Sequence, residues 1–471
     1  MANRPLTVAT VLGATLIASG CAWLEPKVPE GKPGIPVEWP LPPDSPRLES
    51  AAASSVAAAD IGWREFFVDP ALQQLISLAL ANNRDLRVAV LNVEKARQLY
   101  RIQRADRVPN VGGNVAGYRS GGDPLVGNYY SASVGISNFE LDLFGRVRDL
   151  SEAQLQRYLA QEEARRAAQL SLIAEVAYYY LGLAADREQL RLAQATLKIR
   201  EDYHALTVKR HELGAVSALD LEQERTQVEG ARADAARYAG QVAVDADALA
   251  LLVGAQVETK LLPTTFDGEV VGIAALPAGV PSTVLLRRPD VLAAEHLLRA
   301  ANANVGAARA AFFPQISLTG AIGTASSELS GLFASGTSVW LFEPQVNIPI
   351  FEGGRLVAGL GAANADRDIA LAQYEKSIQQ GFREVSDALA LTATLAAQRS
   401  ALQALVDSAQ HAEDLSRARY EAGRDSYLVR LEAQRTLYVS QQALIATRLS
   451  EQWNRVTLYK VLGGGWKERT P

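Results

Sequence analysis

Sulfur is nearly missing from this 471-residue chain, which has one Cys (Cys21) and one Met. A single thiol excludes an intramolecular disulfide, so stability must come from packing. Histidine is scarce as well: His204, His211, His296 and His411 are scattered, without the close ligand spacing of a metal site. Past the N-terminus there is no uninterrupted apolar run long enough for a bilayer-spanning helix. A β-barrel stays open, because its signal is weak in any one segment. Aromatic residues make up only 7% of the chain, while Ala is abundant, which favours extended helix packing over a bulky globular core. A formal net charge of −5 offers no basic face for nucleic acid, so no nucleic-acid partner is expected. There is no phosphate-binding glycine loop and no nucleophile elbow, which points to a non-enzyme without cofactor or metal.

The N-terminus carries a different signal. Arg4 precedes a short apolar stretch from Leu6 to Ile17, which ends in the small residues of "ASGC". This reads as a secretory signal over residues 1–20. "LIASGC" resembles a bacterial lipobox, which implies acylation of Cys21; Ala22 after the Cys implies the outer membrane. Residues 21–65 follow as a proline-rich extension. Proline removes backbone donors and fixes φ, so this segment is expected to be extended, as a tether or as a strap across a larger body.

An internal duplication sets the architecture. "NRDLRVAVLNVEKARQLYRIQRADRVPNVGGN" (83–114) aligns without gaps to the segment 288–319, pairing Asp85 with Asp290 and Pro109 with Pro314. Later, "ELGAVSALDLEQ" matches "EAGRDSYLVRLE", with Gly214 and Ser217 opposite Gly423 and Ser426. Matches this long imply two copies of one structural unit. The copies are expected over 66–254 and 287–465, with a linker at 255–286 and a tail at 466–471.

Each copy reads as helix, two strands, very long helix, break, shorter helix. In "PQISLTGAIGT", Ile316, Leu318 and Ile322 alternate with small or polar residues, as a one-sided strand requires. In "SVWLFEPQVNIPIF" the apolar parity slips at Glu343–Pro344, where a bulge or bend is expected. Two strands per copy make four per chain, whereas a closed membrane barrel needs at least eight, so membrane-spanning strands would require an oligomer.

From Arg146 to His211 there is no Pro and only Gly182, so one helix of roughly 65 residues would run about 100 Å. Val176, Leu183, Leu190 and Leu197 form one heptad seam, and Leu192, Ile199, Leu206 and Leu213 form a second. The two seams are offset by two residues, about 200° around the helix. Such a helix needs a neighbour on each side, like a stave in a hollow cylinder.

Together with the lipobox and the repeat, "DLFGRVR" (142–148), "IFEGGRL" (350–356), "YEAGRDSYLVRLEAQRTLYVSQQAL" and "LYKVLGGGW" carry a family resemblance. Over almost its whole length the chain resembles the TolC-like outer membrane factors, in the lipoprotein branch that serves tripartite efflux pumps. The resemblance implies a mainly α fold with a small β part. It implies a homotrimer whose four strands per chain close a twelve-stranded outer-membrane β-barrel, continued by an α-helical periplasmic barrel with an equatorial domain. It further implies passive conduction of substrates delivered by a periplasmic adaptor (membrane fusion) protein and an inner-membrane RND-type pump, with outer-membrane lipid around the barrel. A non-conducting coiled-coil structural or adhesive lipoprotein is the alternative, but a rod needs no paired strands.

The two helix breaks would form the periplasmic tip. Gly214 and Gly423 can take the left-handed conformation that ends a helix, Ser217 can cap the helix that follows, and Asp425 or Ser426 can do so in the second copy. By resemblance, Tyr420, Leu428, Glu432 and Arg435 are gate candidates, with Asp425 nearby. A bland reading makes Asp425 only a cap and Glu432 a solvated residue paired with Arg435. Arg430 stands where an apolar residue is expected.

Overall fold

The computed structural model describes residue 24, residues 26–36, residue 39, and residues 60–121, 127–266 and 282–470. Cys21 and its lipobox, most of the proline-rich extension and the middle of the linker lie outside the described residues. Within them the fold is mainly helical, with one small antiparallel sheet.

From the helix before the strands onward, the elements occur in the same order twice, and the first series has one additional helix ahead of it. The first series is α1 (Pro70–Asn82), α2 (Arg84–Ala105), β1 (Val111–Ser120), β2 (Gly127–Leu141), α3 (Arg146–Glu212) and α4 (Ala218–Val253). The second is α5 (Pro289–Ala310), β3 (Gln315–Ser326), β4 (Ser338–Asn347), α6 (Arg355–Glu421) and α7 (Tyr427–Val461). Both α3 and α6 have 67 residues. The chain clusters into two compact units, one of Met1–Pro33, Val90–Ala164 and Asp290–Ser377, the other of Gly34–Ala89, Arg165–Pro289 and Ile378–Pro471.

The first unit holds the sheet, ordered β1-β2-β3-β4 with every pair antiparallel. Directly opposed residues share a face, so the register assembles two unlike surfaces. Gly113, Val134, Ile322 and Trp340 form one row across the sheet, and Val111, Ile136, Gly320 and Phe342 form the next on the same side. The opposite side carries Asn114, Ser133, Gly323 and Val339, with Thr319 opposite Glu343. One face is thus apolar and the other is built largely from small and polar residues. Among the described residues nothing covers the apolar face, and Trp340 is 78% exposed.

The bulge expected at Glu343–Pro344 is not there. Thr319↔Glu343 and Leu318↔Pro344 continue the β3–β4 register without a shift. The irregularity lies in β2, between Ile136 and Phe139, where Asn138 has φ 53°. Within the protomer's own sheet β4 is an edge strand, and its ladder to β3 runs past Pro344 without interruption.

Strand-to-helix junctions explain two of the sequence motifs. In "DLFGRVR", the Asp142 carboxylate accepts from the backbone N–H groups of Val147 (3.1 Å) and Arg148 (2.7 Å), satisfying donors of the first turn of α3. Phe144 stacks on Phe313 at 4.8 Å, and Arg146 pairs with Glu140. In "IFEGGRL", Gly353 and Gly354 both take positive φ before α6 begins. The proline-rich segment is a strap where it is described. Pro26 O accepts from Asn302 Nδ2 at 2.7 Å, and the backbone N–H of Lys32 donates to Glu375 Oε1 at 2.8 Å.

The second unit has its own core, with Trp63, Phe66, Phe67, Leu72, Leu75, Ile76, Leu181 and Leu249 fully buried. Its chain ends are joined: Trp63 N donates to Lys467 O at 3.1 Å, and Phe66 stacks on Tyr459 at 3.8 Å. Among the described residues no helix is long and apolar enough to cross a membrane. The two seams of α3 differ in burial. Val176 and Leu183 are fully buried, whereas Ile199, Leu206 and Leu213 are 52%, 43% and 84% exposed. Replacing Asp142 with Ala should cost about 1 kcal/mol, the usual value of a lost N-terminal cap, as a lowered unfolding midpoint of the purified protein.

Candidate functional site

Both helix breaks lie in the second unit, and their backbones match. Gly214 and Gly423 have φ 71° and 68°, values that favour glycine. Gly214 N donates to His211 O and Ala215 N to Arg210 O. Gly423 N donates to Tyr420 O and Arg424 N to Arg419 O in the same way. These bonds close the last carbonyls of α3 and α6.

The side chains of the two turns diverge. Ser217 forms a full capping box: its hydroxyl accepts from Asp220 N (3.1 Å), and the Asp220 carboxylate accepts from Ser217 N (3.2 Å). Ser426 occupies the cap position of α7 but makes no side-chain cap bond. Asp425 does not cap α7 either. Its carboxylate takes a two-point hydrogen bond from Arg419, Nε at 2.7 Å and Nη2 at 2.8 Å, and that guanidinium holds the carboxyl below its ordinary range. The expectation of a cap from Asp425 or Ser426 is therefore corrected. Val429 stands where Asp220 stands in the first turn, so α7 has no acid to complete a capping box.

The gate candidates separate into groups. Tyr420 is half-buried. Its hydroxyl accepts a long bond from Arg210 Nη1 (3.4 Å), and its ring meets Tyr427 edge-on at 6.0 Å. Leu428 and Glu432 come together along a shallow groove between α6 and α7, with Ala409, Ala412, Val429 and Thr436. Leu428 is 64% exposed. Arg435 is exposed and does not line this groove. Neither Glu432 nor Arg435 has an ion-pair partner among the described residues, so the pairing of these two does not form.

Behind the turn lies a cluster of buried polar residues. Arg430 is 1% exposed. Its guanidinium carbon lies 3.8 Å from the ring centroid of Tyr203 on α3 and 5.3 Å from that of Tyr420 on α6. Arg200 on α3 donates to Gln227 Oε1 on α4 at 2.6 Å. Glu224 is buried beside the Tyr427 hydroxyl, and burial, reinforced by that carboxylate, pushes the phenol's pKa upward. The oddity of Arg430 is visible in the sequence, but Tyr203, Glu224 and Arg200 are distant residues with no local mark.

Higher in the same unit, a cavity of about 780 Å³ is lined by Tyr178, Tyr238, Trp453, Arg237, Asp186 and Asp245. Burial, then a hydrogen bond and charge repulsion from Asp245, push the Asp186 carboxyl up to about 7. Among the described residues no group of His, Cys, Asp or Glu is arranged to hold a metal ion.

A sheet with one uncovered apolar face, followed in each repeat by a 67-residue helix that turns back on itself, defines a channel-type protein of the outer membrane. The family model for outer membrane efflux proteins matches residues 75–255 and 280–464, one match in each half of the duplication. The chain is 47% identical to the toluene efflux pump outer membrane protein TtgC of Pseudomonas putida, over 96% of this chain and 94% of that protein. It is 44% identical to outer membrane protein OprJ of Pseudomonas aeruginosa, over 92% of each. The open-state structure of the Neisseria gonorrhoeae MtrE outer membrane channel superposes with a TM-score of 0.86 at 38% identity, covering 95% of this chain and 99% of that one. The chain belongs to the outer membrane efflux protein family and is an efflux channel of the outer membrane that extends into the periplasm.

Two outcomes follow from this geometry. Ser217→Ala should destabilise the protein by about 1 kcal/mol and Ser426→Ala by less than about 0.5 kcal/mol, measured by thermal unfolding, because only the first hydroxyl caps a helix. The folded state holds a proton on Asp186 between the free value of 3.8 and about 7, whereas the unfolded chain does not. Stability should therefore fall as pH rises through that window, and Asp186→Asn should flatten the fall in melting curves taken from pH 4 to 8.

Proposed function

We propose that three copies of this chain assemble into a continuous duct, a twelve-stranded barrel in the outer membrane continued by an α-helical periplasmic tunnel. The observation that carries this reading is the four-stranded sheet with open edges at β1 and β4 and an uncovered apolar face. Backbone groups facing lipid must all be paired, so strands in a bilayer require closure. Three such sheets joined β4 to β1 have twelve strands, above the minimum of eight for a membrane barrel. The exposed end of the second seam supports the same assembly, since Ile199, Leu206 and, just past α3, Leu213 are left uncovered by the described residues. A rod-like structural lipoprotein would have no use for the sheet.

In this duct Cys21 is acylated and anchors the chain in outer-membrane lipid. A periplasmic adaptor and an inner-membrane RND-type pump deliver the cargo, which the duct conducts passively; no reaction is catalysed. The turns at Gly214 and Gly423 form the periplasmic mouth. Leu428 and Glu432 are its gate residues, each present three times around the axis, while Tyr420, Asp425 and Arg435 tune the approach to it. A ring of carboxylates at a constriction favours cations and repels anions. The exposed and unpaired state of Glu432 in the protomer supports this role.

Combined Leu428→Ala and Glu432→Ala should raise the single-channel leak conductance of purified protein in a planar bilayer several-fold without reducing trimer yield. A trimer that conducts no better after both changes would count against the gate, and a preparation with no conductance at all against the duct.

A further inference from the structure

Arg430 is the residue that the gate reading does not absorb. Its side chain is among the largest fully buried ones in the described structure. Nε, Nη1 and Nη2 are all buried, and none has a hydrogen-bond partner among the described residues. No carboxylate among the described residues pairs with it; Glu224, the buried acid of this cluster, is placed beside Tyr427 instead. The compensation that the guanidinium receives comes from the face of Tyr203 at 3.8 Å and, at longer range, from Tyr420 at 5.3 Å.

These contacts join three helices at the turn: α7 through Arg430, α3 through Tyr203 and α6 through Tyr420. The balance of forces is unfavourable. Removing a charge from water without an ionic or hydrogen-bonding partner costs more than a stack on an aromatic face returns. Moving the α6–α7 turn away from α3 would lift the guanidinium off Tyr203 and let water reach it, which relieves that cost.

We propose that Arg430 is a positioning residue of the gate, a buried cation that keeps α7 loosely docked on α3 so that the turn can be opened. The proposal rests on the reading in which the docked turn is the resting barrier. Removing the charge while keeping the volume should then make the barrier tighter. Removing the aromatic face while keeping the charge should make it looser.

The test is made in planar bilayers with purified trimer, in the parent and in the leaky Leu428→Ala/Glu432→Ala background. Arg430→Met, with Arg430→Leu as a second apolar variant should the first fail to assemble, should lower the open probability about tenfold, the low end of what exchanging a buried ion for apolar volume returns. Tyr203→Leu should raise it when Arg430 is present and leave it unchanged when Arg430→Met is present. A purely structural Arg430 would instead give raised opening in Arg430→Met and in Tyr203→Leu alike. Unchanged or raised opening in the apolar variants overturns the proposal while leaving the gate intact. A double Leu428/Glu432 variant no leakier than the parent overturns the gate reading, and this proposal with it.

Discussion

An unpaired strand edge cannot be left in lipid, and most of this molecule is arranged around that constraint. Each backbone N–H or C=O that faces hydrocarbon without a partner costs several kcal/mol, so a membrane strand survives only in a closed sheet. This chain supplies four strands and leaves β1 and β4 with one free edge each. The register gives those strands one apolar and one small, polar face, suited to a wall between lipid and water. A wall that a single chain cannot close makes assembly part of the fold. The helices that continue from the strands carry the same requirement, with Val176 and Leu183 of one α3 seam buried in the protomer and Ile199 and Leu206 of the other exposed.

Duplication meets this requirement economically, because one helix–hairpin–helix plan is used twice. The copies are alike where backbone geometry decides the outcome: Gly214 and Gly423 end their helices with nearly the same φ and the same hydrogen bonds. They part where side chains decide it. The first turn is closed by an ordinary capping box. In the second, the acid next to the cap position is drawn into an ion pair with Arg419, and the cap hydroxyl is left without its bond. A turn held in that way, with a buried cation behind it that makes no hydrogen bond among the described residues, is better suited to moving than one closed by a capping box.

Much of this was legible in residue order. The long helices follow from the lack of Pro over Arg146–His211, the break from Gly423, and the paired strands from the alternation of Ile316, Leu318 and Ile322. These are local signals, since each rests on the conformational preference of residues close together in the chain. The expectation at Glu343–Pro344 missed for a nonlocal reason. Whether a proline forces a bulge depends on whether its strand is central or at an edge, and the order of strands sets that. Asp425 missed because two donors competed for its carboxylate. Cap preference favours the helix N-terminus, but Arg419 offered a charged, two-point alternative across the turn.

Sequence alone determined the repeat, the helix and strand types, and the position of both turns, because these depend on spacing and on glycine and proline chemistry within a few residues. Tertiary structure alone decided which charges are paired. Arg430 and Tyr203 lie on different helices from different repeats, and nothing near either residue announces the other. Their contact exists because α7 packs beside α3, and burial turns an ordinary arginine into a charge with no hydrogen-bonding partner among the described residues. Desolvation is a property of the surroundings rather than of the residue, so only the packed structure could reveal it.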